Sequence, residues 1–373
     1  HPLSLEPQGL QNSVIDSFYF VRRTILWDTD KRERKRRLTK LIRIKEAILH
    51  ILDINTNEPI FSYAGLDTSE RMMIEYIEAM VAKVEDSDSM KDGILEEDNQ
   101  MTALFKNCQS DFVEGTKALS EKFFNVTKLN PEIPPADLLI AHFELDEVPC
   151  LGVFKLNYSD SYTHFVSYEG DILTNQIILN RAILPSQRQA IQEGLVVNLE
   201  QMVYHVIEKK HMIAELGEKV NYFTEMFLED TPKPSLKENI SIIKKAVQKT
   251  SKAFNDEEFQ VLAETKEAIV TSMQEDNLID NEKIAEALFG DNFAKKQKYF
   301  EQVEELGYVD RAPAEAAVAG PKYSKQKFRL DNGIEISIPL ELYKDPDVVE
   351  FINNPDGTTS VIIKNIEKIK NLF

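Results

Sequence analysis

The sequence contains few of the residues that mark disulfide-rich, metal-binding or membrane proteins. Its 373 residues include only two cysteines, Cys108 and Cys150, which are too few for a disulfide framework and lack the CxxC spacing of a zinc site. No apolar run reaches the roughly 18 residues that a membrane-spanning helix needs. The start of the chain has no basic segment followed by an apolar one, so we expect no secretory signal. These absences predict a cytoplasmic protein that does not contact a membrane.

Motifs of the common enzyme classes are absent as well. The chain has no GxxxxGK[ST] phosphate loop, no GxGxxG, no GxSxG and no HExxH, which are the spacings that place phosphate-binding, nucleophilic or zinc-binding groups. His142 and His164 fall in strands predicted to be neighbours and could meet across a sheet, although exposed or half-buried histidines are the commoner interpretation. We therefore expect no catalytic, cofactor-binding or metal-binding residues, no cofactor and no enzymatic activity.

Positive charge is scarce over the chain as a whole. There are 44 Lys and Arg against 63 Asp and Glu, a net charge of −19. A hydrophobic content of 42% is typical of a soluble globular protein. Phosphate binding needs clustered Lys and Arg, so this balance argues against nucleic acid coating the whole surface but allows a local basic patch.

Residues 1–40 differ in charge from the rest of the chain. They hold 9 basic and 5 acidic residues, whereas residues 41–373 hold 35 basic and 58 acidic. From Lys31 to Arg37 every residue is Lys, Arg or Glu, which purine-only codons can encode, and a bacterial ribosome-binding site is purine-rich. One hypothesis is that residues 1–40 are translated upstream sequence, with Leu41 at an alternative start codon. The other is a disordered basic arm that binds DNA phosphates.

Residues 41–230 predict an α+β domain with an antiparallel sheet. Apolar and polar residues alternate at its start, which predicts a strand with a bulge near Glu46, where the alternation fails. A second strand is predicted at residues 60–67. Helical spacing of apolar residues follows, and Asp67 or Thr68 is the expected cap.

The remainder of this domain predicts a long helix and then a run of strands. The helix covers residues 99–129 and is expected to break near Cys108. Residues 136–208 form short apolar stretches separated by turn residues, which predicts a β-meander. Its tight turns are expected at Asp146-Glu147, Ser159-Asp160 and Gly170-Asp171. Residues 216–228 predict a further helix.

The C-terminal part predicts a helical region at residues 231–311 and, at 312–373, a linker with a small β/α module. Asn332-Gly333 is a strong hairpin signal inside this module. We predict domain boundaries at two Pro-containing linkers, Glu229–Asn239 and Ala312–Pro321. The predicted fold class is α+β: N-terminal strands and helices with a central antiparallel β-meander, then a helical region and a small C-terminal β-containing tail.

Basic clusters stand out in the C-terminal half of this acidic chain. We predict them as a candidate DNA-binding site composed of Lys244, Lys245, Lys249 and Lys252, then Lys295, Lys296 and Lys298, then Lys322, Lys325, Lys327 and Arg329. In the last cluster the alternate spacing of Lys325, Lys327 and Arg329 along a predicted strand puts these three charges on one face, with Phe328 and Leu330 on the core face. Solvated faces of ordinary helices and strands show the same pattern.

The order and character of the segments resemble a known family. The stretches that carry the resemblance are "IKEAILHILD", "GILEED", "DFVEGTKALSEKFF", the central meander and the tail "GIEISIPLELY…TTSVIIKNI". They resemble the bacterial nucleoid-associated proteins, the NdpA-like family, over residues 41–373. The resemblance implies a cytoplasmic protein found with the nucleoid, through DNA or DNA-bound partners, and it supplies no catalytic residues.

Two functional hypotheses follow from the charge pattern and the resemblance. The first is direct, sequence-nonspecific DNA binding by the C-terminal basic clusters. The second is an acidic adaptor that reaches the nucleoid by gripping a DNA-bound protein, because an acidic surface suits a basic partner. An oligomer is compatible with either hypothesis.

Overall fold

The computed structural model describes residues 41–52, 58–309, 312–313, 323–343 and 345–370. The predictions made for residues 1–40, for Lys322 and for most of the second linker lie outside this part of the chain. Helices and antiparallel strands are both abundant, and the predicted α+β class is confirmed.

The elements are numbered here in chain order. The strands are β1 (Ile42–Leu52), β2 (Lys91–Ile94), β3 (Ala136–Leu145), β4 (Val148–Asn157), β5 (Ser159–Glu169), β6 (Ile172–Ile183), β7 (Glu193–Asn198), β8 (Val203–Ile207), β9 (His211–Ile213), β10 (Glu218–Val220), β11 (Leu278–Ile279), β12 (Ala312–Pro313), β13 (Lys325–Arg329), β14 (Glu335–Pro339), β15 (Val349–Asn353) and β16 (Thr359–Ile363). The helices are α1 (Arg71–Glu85), α2 (Gln100–Ser110), α3 (Phe112–Thr127), α4 (Leu236–Phe254), α5 (Glu258–Asp276), α6 (Asn281–Phe289), α7 (Phe293–Glu305) and α8 (Leu340–Tyr343).

A six-stranded sheet organises the N-terminal half, in the order β1-β3-β4-β7-β8-β2 with antiparallel neighbours. Helix α1 packs on one face through residues such as Ile77, against Leu139 and Phe154 of the sheet. Helices α2 and α3 pack on the other face, where Phe123 and Ile140 belong to one apolar cluster. Neighbouring residues of a strand point to opposite faces of the sheet. Since helices cover both faces here, odd and even positions of these strands are both apolar. Each fully buried large apolar side chain contributes about 1.5–3 kcal/mol to the stability of the folded state.

The first strand and the long helical stretch follow the sequence prediction closely. The register of β1 on β3 shifts between Ile44 and Glu46, so the predicted bulge is confirmed. The predicted helix break is also confirmed, and it falls at Asp111, whose side chain accepts the Glu114 N–H at 3.2 Å and caps α3. Asn99 caps α2 in the same way.

The segment after the first strand is a correction. A strand was predicted at residues 60–67, but only an isolated bridge joins Ile60 to Ile51. The expected cap is also wrong, because α1 begins at Arg71 and the Asp67 carboxylate accepts the Ser69 N–H and hydroxyl instead. Asx-type turns of this kind compete with helix capping for the same side chain.

All six predicted strands of the meander are present, and the turn at Gly170-Asp171 joins β5 to β6, but β4 does not pair with β5. Only Tyr158 separates β4 from β5, so there is no tight turn at Ser159-Asp160. Strand β4 pairs with β7, while β5 pairs with β6 alone and forms a separate hairpin, the β5–β6 arm. His142 and His164 therefore do not meet; His142 lies in the main sheet beside Glu46, with 3.4 Å between Nδ1 and Oε1.

The helix predicted over residues 216–228 is replaced by two shorter elements. Residues up to Val220 form β10, paired with β9. A π-helical turn, Phe223–Leu228, follows and buries Phe223 and Phe227 against Phe123 of α3. The packing of these aromatic rings therefore outweighs the preference for a regular α-helix that the spacing of the sequence indicates.

The C-terminal half is built on helices α4 to α7, which share their own apolar cluster. Helix α4 begins with a capping box in which Ser235 and Glu238 exchange hydrogen bonds. The linker before it and its first turn are bonded to β2 and the loop that precedes β2. The Lys233 N–H donates to the Asp92 carbonyl of β2 at 2.8 Å, and the Lys237 N–H of α4 donates to the Asp88 carbonyl of the loop at 2.9 Å. The division into domains at residues 230 and 311 remains a prediction.

The C-terminal hairpins form at the turn residues of the sequence. Strands β13 and β14 enclose Asn332-Gly333, with Gly333 at a φ of 88°, a left-handed conformation that glycine adopts without strain. Strands β15 and β16 form a second hairpin around Gly357.

One buried histidine makes the stability of the N-terminal half depend on pH. The His50 Nδ1 accepts the Ser62 N–H at 3.1 Å, so Nε2 carries the proton and donates to Thr116 Oγ1, also at 3.1 Å. The Thr116 hydroxyl in turn donates to the Val113 carbonyl. Burial, helped by the charge of Lys117, lowers the pKa of His50 to about 4.

The sign of this dependence follows from the histidine of the unfolded chain, which takes up a proton near pH 6.5. The stabilisation is complete above that pH and is lost as the pH falls from 6.5 towards 4. The free energy of unfolding should therefore drop by about 2 kcal/mol between about pH 7 and pH 5 through this group. Urea denaturation of the unmodified protein and of His50→Gln measures it, because the variant should lack that part of the dependence. Parallel pH curves would contradict the assignment.

Candidate nucleic-acid interface

A groove of about 710 Å³ lies in the C-terminal half, between α4, α5, β13 and the β15–β16 hairpin. Its floor is apolar and includes Phe259, Phe328 and Phe351, whose rings pack on one another. Four cationic side chains line the same space, and we name it the basic groove after them: Lys244, Lys266, Lys327 and Arg329.

Each cation reaches the groove for a local reason. On α4, Ile243 and Val247 are buried in the helical core, and Lys244 lies beside that stripe. On β13, Gln326 is buried while Lys327 and Arg329 are exposed, and all three line the groove. The Gln326 amide donates to the Ala263 carbonyl of α5 at 2.8 Å, which fixes the strand against the helix.

The cations of the groove are poorly compensated. Lys244 and Lys327 form no ion pair within the residues that the structure describes. Arg329 Nε lies 3.9 Å from the Glu335 carboxylate, with both side chains exposed, and exposed pairs of this kind contribute little.

Lys266 is the most enclosed of the four. Its ammonium donates to the Lys325 carbonyl. Burial lowers the pKa of Lys266, and the positive charge of Lys327 lowers it further. An anion placed between these two lysines would relieve their repulsion, since an opposite charge stabilises the charged form.

The structure brings together only part of the predicted site. Lys244, Lys327 and Arg329 line the basic groove, while Lys245, Lys249, Lys252 and Lys325 are exposed outside it. The cluster on α7 is neutralised by carboxylates: Lys295 by Asp256 at 2.7 Å, Lys296 by Glu286, and Lys298 by Glu301 at 3.2 Å.

Sequence reasoning missed Lys266. It lies between Glu264 and Glu267, so a local count of charge hides it. On α5 these carboxylates lie on a different side and border a separate acidic hollow with Glu275. The only available signal was helical spacing, because Lys266 lies three residues before Ile269, which packs in the core and also lines the groove.

A second group of titratable side chains lies in the N-terminal half and is closed to solvent. Lys155 of β4 stands opposite Glu193 of β7, with 3.5 Å between Nζ and Oε2. The other oxygen of Glu193 is 2.8 Å from His211 Nε2, and Lys155 Nζ is 5.9 Å from the centre of the Tyr222 ring. Burial lowers the pKa of Lys155, and Glu193 opposes that shift. This buried ionic cluster opens into none of the hollows described above, and we assign it to stability.

The described ranges contain neither a metal-binding cluster nor a membrane-spanning helix. In that part of the chain, no group of three or more His, Cys, Asp or Glu side chains could hold a metal ion. Among the same residues, no helix has the length and apolar character to cross a membrane.

Fold and groove together define an α+β protein whose antiparallel sheet is joined to a helical C-terminal half with a basic groove. The family model described as Nucleoid-associated protein YejK matches residues 48–370 of the chain. The chain therefore belongs to this nucleoid-associated family, as the order of its segments predicted. A search of curated proteins found no match.

Proposed function

We propose that the protein associates with the nucleoid by binding DNA directly, without sequence specificity and without catalysis, through the basic groove. The observation that carries this proposal is the convergence of four cations, from α4, α5 and β13, on one hollow with few competing carboxylates. Lysine and arginine side chains of this kind contact phosphates, and phosphate contacts supply nonspecific affinity.

The acidic remainder of the chain supports a local contact. With a net charge of −19, most of the surface repels DNA, so contact is restricted to the cationic hollow. The cluster on α7, which already has carboxylate partners, has little charge left for phosphate. Membership of the family supports the nucleoid as the place of action.

The groove is tested by neutralising its four cations together, with Lys244→Gln, Lys266→Gln, Lys327→Gln and Arg329→Gln in the full chain. Affinity for a short duplex of arbitrary sequence should fall at least tenfold at low salt. The plot of log affinity against log salt should become shallower by up to about 0.9 for each lost phosphate contact. Fluorescence anisotropy over a salt series measures both quantities.

A matched control removes an equal number of positive charges, from four lysines that already have carboxylate partners. The control set is Lys283→Gln, Lys295→Gln, Lys296→Gln and Lys298→Gln. Affinity should change much less in this set, because these charges are compensated. Equal losses in both sets would show a general charge effect and overturn the groove. No binding by the unmodified protein at low salt would reject direct contact and leave the adaptor, which reaches the nucleoid through a basic, DNA-bound protein.

A further inference from the structure

The β5–β6 arm has two chemically different faces. In its antiparallel register, directly paired residues share a face, and Tyr162 pairs with Leu179 while Tyr168 pairs with Leu173. The face that contains these pairs consists of Tyr162, His164, Val166, Tyr168, Leu173, Asn175, Ile177 and Leu179. The opposite face is mostly Ser, Thr, Asn and Gln, with Phe165, Ile172 and Ile178 among them.

The first of these faces is apolar and open. Six of its eight side chains are large and apolar, and they are between 38% and 81% exposed. No residue of this face is an acid, a lysine or an arginine. Contiguous apolar patches of this size are uncommon on monomers and mark interaction sites, and an isolated two-stranded hairpin is only marginally stable in water.

We propose that this apolar face is a dimer interface, covered by the same face of a second copy of the chain. Charge argues for this occupant. Two copies with a net charge of −19 each repel one another over most of their surface, and the arm offers a large face without charge where they can meet. A nucleic acid would need cations, and a basic protein would need acidic residues, on that face.

The size and symmetry of the face also fit a second copy. Six large side chains at these exposures offer roughly 700 Å² per copy, close to the about 800 Å² per partner of a standard interface. A Tyr–Leu pair stands at each end of the face, at Tyr162–Leu179 and at Tyr168–Leu173. A two-fold axis across the strands would place the pair at one end of one arm on the pair at the other end of its partner, which is an isologous contact. The inference uses none of the groove residues and is independent of the DNA proposal.

The test compares two double substitutions in the full chain by sedimentation velocity over a concentration series. Tyr168→Thr with Ile177→Thr removes two side chains from the apolar face. Phe165→Thr with Ile178→Thr removes two from the opposite face of the same arm. Threonine keeps the strand preference in both, and unchanged far-ultraviolet circular dichroism confirms that each variant is folded.

We expect the unmodified protein at about 10 µM to sediment as a dimer, with a dissociation constant that the first pair raises at least a hundredfold and the second pair changes less than threefold. A monomeric unmodified protein would overturn the proposal, whether residues 1–40 or a different protein covers the face. A dimer that survives the first pair, or that both pairs weaken equally, would overturn it as well.

Discussion

Replacing Lys155 with methionine should lower the free energy of unfolding by about 3–5 kcal/mol, because it leaves the Glu193 carboxylate buried without its lysine. Both side chains are almost completely enclosed, and their strands pair directly at these two residues. The carboxylate would keep its contact with His211 Nε2 at 2.8 Å. Methionine fills a similar volume, so the loss reports the uncompensated charge and not a cavity.

A double variant separates the charge from the packing. Lys155→Met with Glu193→Gln removes the buried charge together with its partner, and it should recover part of the lost stability. Urea denaturation followed by far-ultraviolet circular dichroism gives the midpoint and slope of each unfolding transition. A single variant that loses less than about 1 kcal/mol would show that Lys155 and Glu193 are not a coupled pair in solution.

The exchange of Gly115 for alanine should destabilise the protein by about 2–3 kcal/mol, although alanine is the better helix former by about 1 kcal/mol. Gly115 lies in the first turns of α3, where the chain folds back on α2. A Cβ at this position would stand 2.6 Å from the Cα and backbone nitrogen of Cys108. Backbone atoms cannot move aside as a flexible side chain can, so the two helices must separate.

The matched control is Glu121→Ala, an exposed position of the same helix. It changes helix preference without touching α2, and its effect should stay within about 0.5 kcal/mol. Thermal denaturation of both variants gives the comparison. A Gly115→Ala protein as stable as the original would mean that α2 and α3 pack less closely than the structure shows.

Local signals in the sequence were enough for the strands that pair within a few residues of a turn. Alternation and turn chemistry predicted β3 with β4 through Asp146-Glu147, both at positive φ, and the β13–β14 hairpin. The same alternation could not show that β5 leaves the main sheet. A strand with one apolar and one polar face has the same pattern in a sheet or in an isolated hairpin. The pairing of β4 with β7 could therefore not be predicted from the sequence.

The basic groove was only partly predictable for a related reason. Lys244, Lys266 and Lys327 come from three separate elements, and only the packing of β13 on α5 brings them together. Sequence proximity instead favoured Lys295 and its neighbours, which the fold pairs with carboxylates from α6 and from the turn before α5. Whether a lysine is free or compensated depends on contacts that a run of charges does not reveal.

The junction between β4 and β5 has a mechanical consequence. A single residue, Tyr158, joins them, and its hydroxyl is bonded to Asp137 of β3 at 2.5 Å. At about 3.3 Å per residue, the eleven residues of β5 extend roughly 35 Å. A load applied at the tip of the arm would pass as tension along one continuous backbone into β4, an interior strand held on both sides by ladders of hydrogen bonds in shear. The hydrogen bonds of the six-stranded sheet would therefore resist a force applied to the β5–β6 arm.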